Sequence, residues 1–489
     1  MKHQSFREKL LVLSLAIAIP LLSGCAIGYH DDATWSSSVK GAQLESPSPS
    51  DVTVVDNLDG TATIKWPVVP GAGGYEFTFY NVDDPENPVA VGEANEVVDG
   101  CKVSRDITDD TKYMISIRTL GNAEWDNKDA TTACEADYAT LVPTTGTIPS
   151  GTDIFAWFEA NPITPTEAEQ AFVLEPGGEY TISDVLNFGG QLVTFRGDKI
   201  NHAKVTMLDG SRISTCTGLK VKFIDFDCSA SVSSSSSNAL ILLGNNPADY
   251  NIFTSGGWNV IADPIVLQEC NITGINRYLI APNATQWCVK TFMVRDCVVG
   301  INQSTDIIYM NQNNSFIAHL QLMNSTFYST VSNGNRFIRY SSRGPRNIYS
   351  DGTGWTGVPA LYNGVSYLGG VIVQSCTFYN IAKTSEMANY SGMNQTTTFF
   401  NIQNSIFVDS GNNQVIRRFI PSSGRPMLVT NNAYWFNGAF TTDSSLSYDT
   451  APIETDPQLA DPANGDFTPS GDALARRAGD PRWLPELPE

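Results

Sequence analysis

The chain has 489 residues, enough for two or three domains, and its 51 acidic and 30 basic residues give a formal charge of −21. That balance argues against nucleic acid as a partner, and beyond the first 22 residues no apolar run is long enough to cross a membrane. Nine cysteines and four scattered histidines offer no Cys and His pair at zinc-ligand spacing, so no resident metal is expected.

At the N-terminus Lys2, Arg7 and Lys9 precede an apolar run, Leu10 to Leu22, and Leu22-Ser23-Gly24-Cys25 closes it with small residues before a cysteine. Charged, then apolar, then small is the order of a signal peptide, placed over residues 1–24. The last four residues resemble the lipobox of bacterial lipoproteins. The resemblance implies cleavage before Cys25 and acylation of its thiol, with that lipid as the only membrane anchor. Residues 25–45 read as a linker, and Asp31 and Asp32 resemble the acidic signal that sends some Gram-negative lipoproteins to the outer face. The expected location is the outer membrane, facing the exterior.

Residues 46–145 alternate apolar and polar positions in short runs: Val52 to Val55, Ala62 to Trp66, Tyr75 to Tyr80 and Tyr113 to Arg118. Turn sequences separate them, Asn57-Leu-Asp-Gly60 and Pro70-Gly-Ala-Gly-Gly74, so the segment reads as a sandwich of short strands. With Trp66, Tyr75 and Tyr113 in its aromatic places, it resembles a fibronectin type III domain, which implies a spacer. Cys101 and Cys134 fall within it as a candidate disulfide pair.

From about residue 190 the chain repeats. Val266-Leu-Gln-Glu-Cys-Asn-Ile272, Met293 to Val299, Gln321 to Phe327, Ile372 to Phe378, Asn401 to Phe407 and Val429 to Trp435 align with a small fifth column: Cys270, Cys297, Ser325, Cys376, Ser405 and Ala433. Spacings of 27, 28, 51, 29 and 28 residues mark stacked coils. The 51 is one coil carrying an insertion of roughly two dozen residues, or two coils with one degenerate. Leu267, Val294, Leu322, Val373 and Ile402 point inward, as do Ile272 and its equivalents through Trp435, by the strand period of two. Between the strands stand Glu269, Asp296, Asn324, Ser375, Asn404 and Asn432, residues suited to a sharp left-handed turn; a calcium ladder is the alternative reading of that column.

This pattern resembles the pectate-lyase-like right-handed parallel β-helix, over residues 150–489 with a C-terminal cap at Asp456 to Trp483. The fold expected is thus all-β, a fibronectin type III-like sandwich followed by a parallel β-helix. The charge is uneven: residues 26–150 carry a net −14, whereas residues 270–440 carry +6. Within the latter, Arg277-Tyr-Leu-Ile280, Asp306-Ile-Ile-Tyr309, Arg336-Phe-Ile-Arg339 and Gln414-Val-Ile-Arg417 align as a further strand. Stacked coils would then set Arg277, Arg336, Arg339, Arg417 and Arg418 in a basic strip, beside an insertion bearing Arg343, Arg346 and Trp355. Guanidinium forks grip carboxylates and aromatic rings stack on sugars, so the expected partner is an acidic polysaccharide, pectin-like or another polyuronate, delivered to an outer-membrane glycan uptake complex. The alternative implied by the resemblance is a polysaccharide lyase acting by β-elimination, with Lys290, Arg339 or Arg417 as base and Ca2+ on carboxylates. A structural or adhesion protein is the third reading.

Overall fold

A computed structural model describes residues 39–486 apart from 234, 236, 246, 251, 303–304, 332–333, 350–359, 363 and 442–443. Two compact units divide the chain, Met1–Leu141 and Val142–Glu489. Cys25 and Trp355 lie outside the described residues. No helix among the described residues is long and apolar enough to cross a membrane.

The named strands of the first unit pair antiparallel. Thr53–Asp56, Thr61–Lys65 and Lys102–Asp106 form one sheet, while Gly74–Asn81, Lys112–Leu120 and Cys134–Ala139 form the body of another. The alternation of Lys112–Leu120 is clean, with Tyr113, Ile115 and Ile117 buried and their neighbours half-exposed, so one face supplies the core. Trp66 stacks on Phe77 at 5.6 Å and Phe79 on Tyr113 at 4.6 Å. The Tyr113 hydroxyl accepts the Thr108 amide at 2.7 Å, which satisfies its polar end. Cys101 and Cys134 are free thiols, not the disulfide that their isolation suggested.

The second unit is β-helix-like. Its first rung, Thr144–Ile148, pairs in parallel with Gln170–Leu174, and from there the chain visits three parallel sheets in rotation. Among the described residues these hold twelve, ten and seven strands, all paired in parallel except the short strands Thr254–Ser255 and Ala439–Phe440. The inward column of the first sheet runs in unbroken register through Phe172, Phe195, Val221, Leu267, Val294, Leu322, Val373, Ile402 and Val429. In the second sheet Phe327, Phe378, Phe407 and Tyr434 stack nearly parallel at 5.1, 5.0 and 5.8 Å. The long spacing resolves as one coil with an insertion, because Phe316–Met323 pairs directly with Gly369–Gln374 and Thr326–Ser329 with Thr377–Tyr379. The helix Ile154–Ala160, N-capped by Asp153, buries Ile154 and Phe158 over the N-terminal end of the core.

The corner between first and second sheets explains the repeat. Glu269, Asp296, Asn324, Ser375, Asn404 and Asn431 all have φ between 48° and 59°, the left-handed turn. The last coil is therefore shifted one residue from the expected alignment: Asn431 turns, Asn432 takes the small column in place of Ala433, and Tyr434 rather than Trp435 joins the core. A one-residue slip exchanges the two faces of a strand, which is why the mistaken column placed Trp435 inside. The small column is also more than apolar filling. The amide of Cys297 donates to Ser325 Oγ at 3.1 Å, that of Cys376 to Ser405 Oγ at 3.1 Å, and that of Ser405 to Asn432 Oδ1 at 3.0 Å. The two serines then donate to the carbonyl two residues before them, as Ser405 Oγ does to Gln403 at 2.8 Å, while Asn432 Nδ2 donates to Ile402 O at 2.9 Å. Corner amides that the ladder cannot reach are thereby satisfied by the coil above. Stacking continues in the turn column, where Asn324 Nδ2 donates to Asp296 Oδ1 at 3.0 Å.

After the last coil the chain doubles back along the outer face of the second sheet. The Gly479 amide donates to Asn404 O, the Asp480 amide to Thr377 Oγ1, and Thr326 Oγ1 to the Asp480 carboxylate at 2.8 Å. Trp483 Nε1 also reaches Thr326 Oγ1, and the Arg482 guanidinium reaches Asp296 O at 2.6 Å. The expected cap is thus an arm laid over several coils.

Candidate functional site

The third sheet presents an outer face, and register decides what lies on it. Ile280, Ile308, Ile338 and Ala388 are paired inward positions. Counting back two residues puts Tyr278, Asp306, Arg336 and Glu386 level with one another, and counting forward one puts Ala281, Tyr309, Arg339 and Asn389 level. Arg277 is therefore one residue out of line with Arg336, contrary to the sequence alignment.

The result is a ladder of alternating charge. Asp306 accepts the Arg336 amide on Oδ1 at 2.9 Å and Arg339 Nη1 on Oδ2 at 3.1 Å, so both carboxylate oxygens are engaged. Glu386 pairs with Arg336 Nε at 3.3 Å and Arg418 Nη1 at 3.0 Å, and accepts from Asn389 at 3.2 Å. Tyr278 and Tyr309 stack at 4.5 Å with their planes 9° apart. Arg277 lies 4.8 Å over the Tyr278 ring and donates to its hydroxyl, while Arg339 lies 6.0 Å from the Tyr309 ring. Burial raises the Tyr278 hydroxyl pKa above its ordinary value, so it stays a neutral hydrogen-bonding group.

A guanidinium has five N–H donors, and the carboxylates here use only one or two of each. The side chains of Arg336, Arg339 and Arg418 keep 28 %, 38 % and 35 % of their surface exposed, whereas Asp306 keeps 8 %. The acids act as fixed braces and leave outward donors pointing at solvent. Such a face can hold a flat, carboxylated ligand by forks and stacking.

The remaining expected residues divide around this face. Arg417 and Arg418 sit on the short helix Val415–Phe419 instead of a strand; two adjacent apolar residues in four are shared by both conformations, and Val415, Ile416 and Phe419 bury a helical face. Arg343 and Arg346 are exposed at the neighbouring corner, where Arg346 approaches Gln395 and the backbone of Gly344 lies against Gly392. Lys290 belongs to Trp287–Arg295 in the first sheet, away from Arg339, so the three candidate bases do not converge. Tyr362 and Tyr367 of the insertion pack on Phe399 at 5.2 and 5.3 Å over the first sheet, covering His319. Burial, with the Lys290 charge adding to it, pushes the His319 imidazole down to about 4 and leaves it neutral. Among the described residues no three His, Cys, Asp or Glu side chains gather as a metal site would require.

Sequence reasoning missed Glu386 and the stacked tyrosines as members of this face. Glu386 is 50 residues from Arg336, with the insertion between, and only the register of the longer coil brings them together. Alternation would have marked Tyr309 as outward, beside inward Ile308, but would have sent Tyr278 inside, because Leu279 and Ile280 are both core residues and break the pattern.

Three family models match the chain, each described as a domain of unknown function: DUF4992 over residues 1–181, DUF4957 over 178–330 and DUF5123 over 371–483. No curated protein matches it. Arg277 and Asp306 fall in the second of these regions, Glu386 and Arg418 in the third, and Arg336 and Arg339 in the stretch between, so the ladder crosses from one similarity to the next.

Proposed function

We propose that this chain is an outer-membrane lipoprotein that binds an acidic polysaccharide along the outer face of the third sheet. The observation that carries the reading is the braced ladder: three arginines paired with acids yet still about a third exposed, beside two stacked tyrosines, the first of which is covered by Arg277. The resemblance to a right-handed, pectate-lyase-like β-helix supports a glycan as the partner. The fibronectin type III-like unit then serves as a spacer between membrane and ladder, and an uptake complex is the natural recipient of the glycan. Binding is preferred over β-elimination because Asp306 and Glu386, the carboxylates beside Arg339, are held by arginines, and among the described residues no acidic cluster stands beside a candidate base.

The test is a glycan array with soluble residues 26–489, followed by calorimetry on an acidic oligosaccharide at rising salt. One lost charge-assisted fork costs about 1.5–3 kcal/mol, so Arg339→Ala should weaken binding by roughly one to two orders of magnitude. Full affinity in the Arg336→Ala/Arg339→Ala double variant would refute the ladder as the site. New absorbance in the unsaturated-uronate band, abolished by the same double variant, would put the lyase reading first. Cys25→Ser should release the chain from the membrane fraction, and retention there would refute the lipid anchor.

A further inference from the structure

The face that carries the ladder continues toward the N-terminus, where its chemistry changes. The outward column through Arg339 and Tyr309 runs on through Ala281, Leu242 and Ser214 to Asn187. Five coil steps separate Asn187 from Arg339, about 24 Å at the strand spacing of a sheet. Asn187 borders a cavity of about 620 Å³, walled by Phe155, Phe158 and Pro162 on one side and Tyr250 on the other.

Tyr250 reaches this place by an unusual corner. The third-to-first turn runs from Gly244 to Gly257 in its coil, against Asn283 to Gln286 one coil later. The extra length carries Tyr250 back past the next corner onto Gly189-Gly190. A Cβ on Gly190 would lie 2.5 Å from Tyr250 Cβ, and one on Gly189 would lie 2.7 Å from the ring. Two residues without side chains thus give the ring a bare backbone to lie on, which fixes one face and leaves the tyrosine 38 % exposed on the other.

The charge of the cavity is opposite in sense to that of the ladder. Among the described residues its lining includes Glu159 and Asp249 but no lysine or arginine, so a carboxylated ligand is disfavoured. Aromatic walls with amides and carboxylates at the rim suit the apolar faces and hydroxyls of a sugar ring. We propose that this cavity is a second saccharide subsite, selective for uncharged sugars, with Tyr250 as its stacking platform. It rests on the reading of the chain as a glycan binder but not on the ladder itself. A polymer with both neutral and acidic residues could occupy the two sites at once, because they share one face.

The experiment is calorimetry and array binding with neutral oligosaccharides (gluco-, galacto-, manno- and xylo-oligosaccharides of six residues) against oligogalacturonate, using soluble residues 26–489. At least one neutral oligosaccharide should bind, with little dependence on salt. Tyr250→Ala should weaken that binding about tenfold, Tyr250→Phe should retain it, and Arg336→Ala/Arg339→Ala should leave it unchanged. Phe155→Ser, on the opposite wall, should weaken it independently, which guards against a Tyr250 variant that disturbs its own loop. Absence of any neutral binder, or equal binding by wild type, Tyr250→Ala and Phe155→Ser, would overturn the proposal. Loss of acidic binding alone would remove the ladder and leave the cavity standing; loss of neutral binding alone would do the reverse.

Discussion

Asp480 gives the sharpest prediction about stability, because burial and hydrogen bonding oppose each other there. Its side chain is 2 % exposed beneath the C-terminal arm, and desolvation pushes the carboxyl up to about 6 despite hydrogen bonds from the Arg482 amide and Thr326. The charges that face it are Arg482 and Asp296, which pull in opposite directions. The folded chain therefore holds a proton that the unfolded chain releases near 3.8. This stabilises the fold fully below that value and is lost as pH rises through about 6. The full contribution is roughly 3 kcal/mol, of which about 1.4 kcal/mol disappears between pH 5 and pH 7.5. Asp480→Asn abolishes the titration. Urea denaturation of both proteins at several pH values should show the wild type losing about that much stability relative to the variant between pH 5 and 7.5. A difference that stays constant across this range would refute the assignment of a buried, proton-holding Asp480.

Two further predictions concern the coils. Phe378 is fully buried between Phe327 and Phe407, so Phe378→Ala should cost about 3–5 kcal/mol in urea denaturation, and a much smaller loss would argue against the stacked core. Ser405→Ala strands the Cys376 amide without its acceptor and should cost about 1–3 kcal/mol, whereas Ser405→Cys should cost less; equal losses in the two variants would deny the hydrogen bond its role.

The repeat was legible because its corner makes a chemical demand at a fixed place: a residue that tolerates positive φ, followed at once by a small one. At the corner the alignment failed only in the last coil, where Asn431 and Asn432 are both amides and Leu428 and Val429 are both apolar, so residue type could not choose the register. Pairing with Ile402 decides it. The arginines of the ladder were visible as charges in a run of coils with reversed net charge. Their braces were not, since the insertion hides the level of Glu386, and whether an arginine is braced depends on register that composition does not carry. The fate of the insertion was also undecided in sequence. Tyr362 and Tyr367 could have joined the strip, but Gly370 leaves room over the first sheet, and Tyr362 fills it. The path of the C-terminal arm had no periodic signal at all, because its contacts run across coils and not along a strand.

That arm changes what kind of solenoid this is. A stack whose coils touch only their neighbours can fray from either end and fold from any point. Here Arg482 approaches Asn271 across 211 residues of chain, and Trp483 meets Thr326 across 157. The coils around Asn271 and Thr326 are made early yet fastened late, by residues that follow them by more than 150 positions. Removing residues 478–486 should therefore loosen the middle of the stack as well as its end, making this arm a clasp on which the cooperativity of the stacked coils depends.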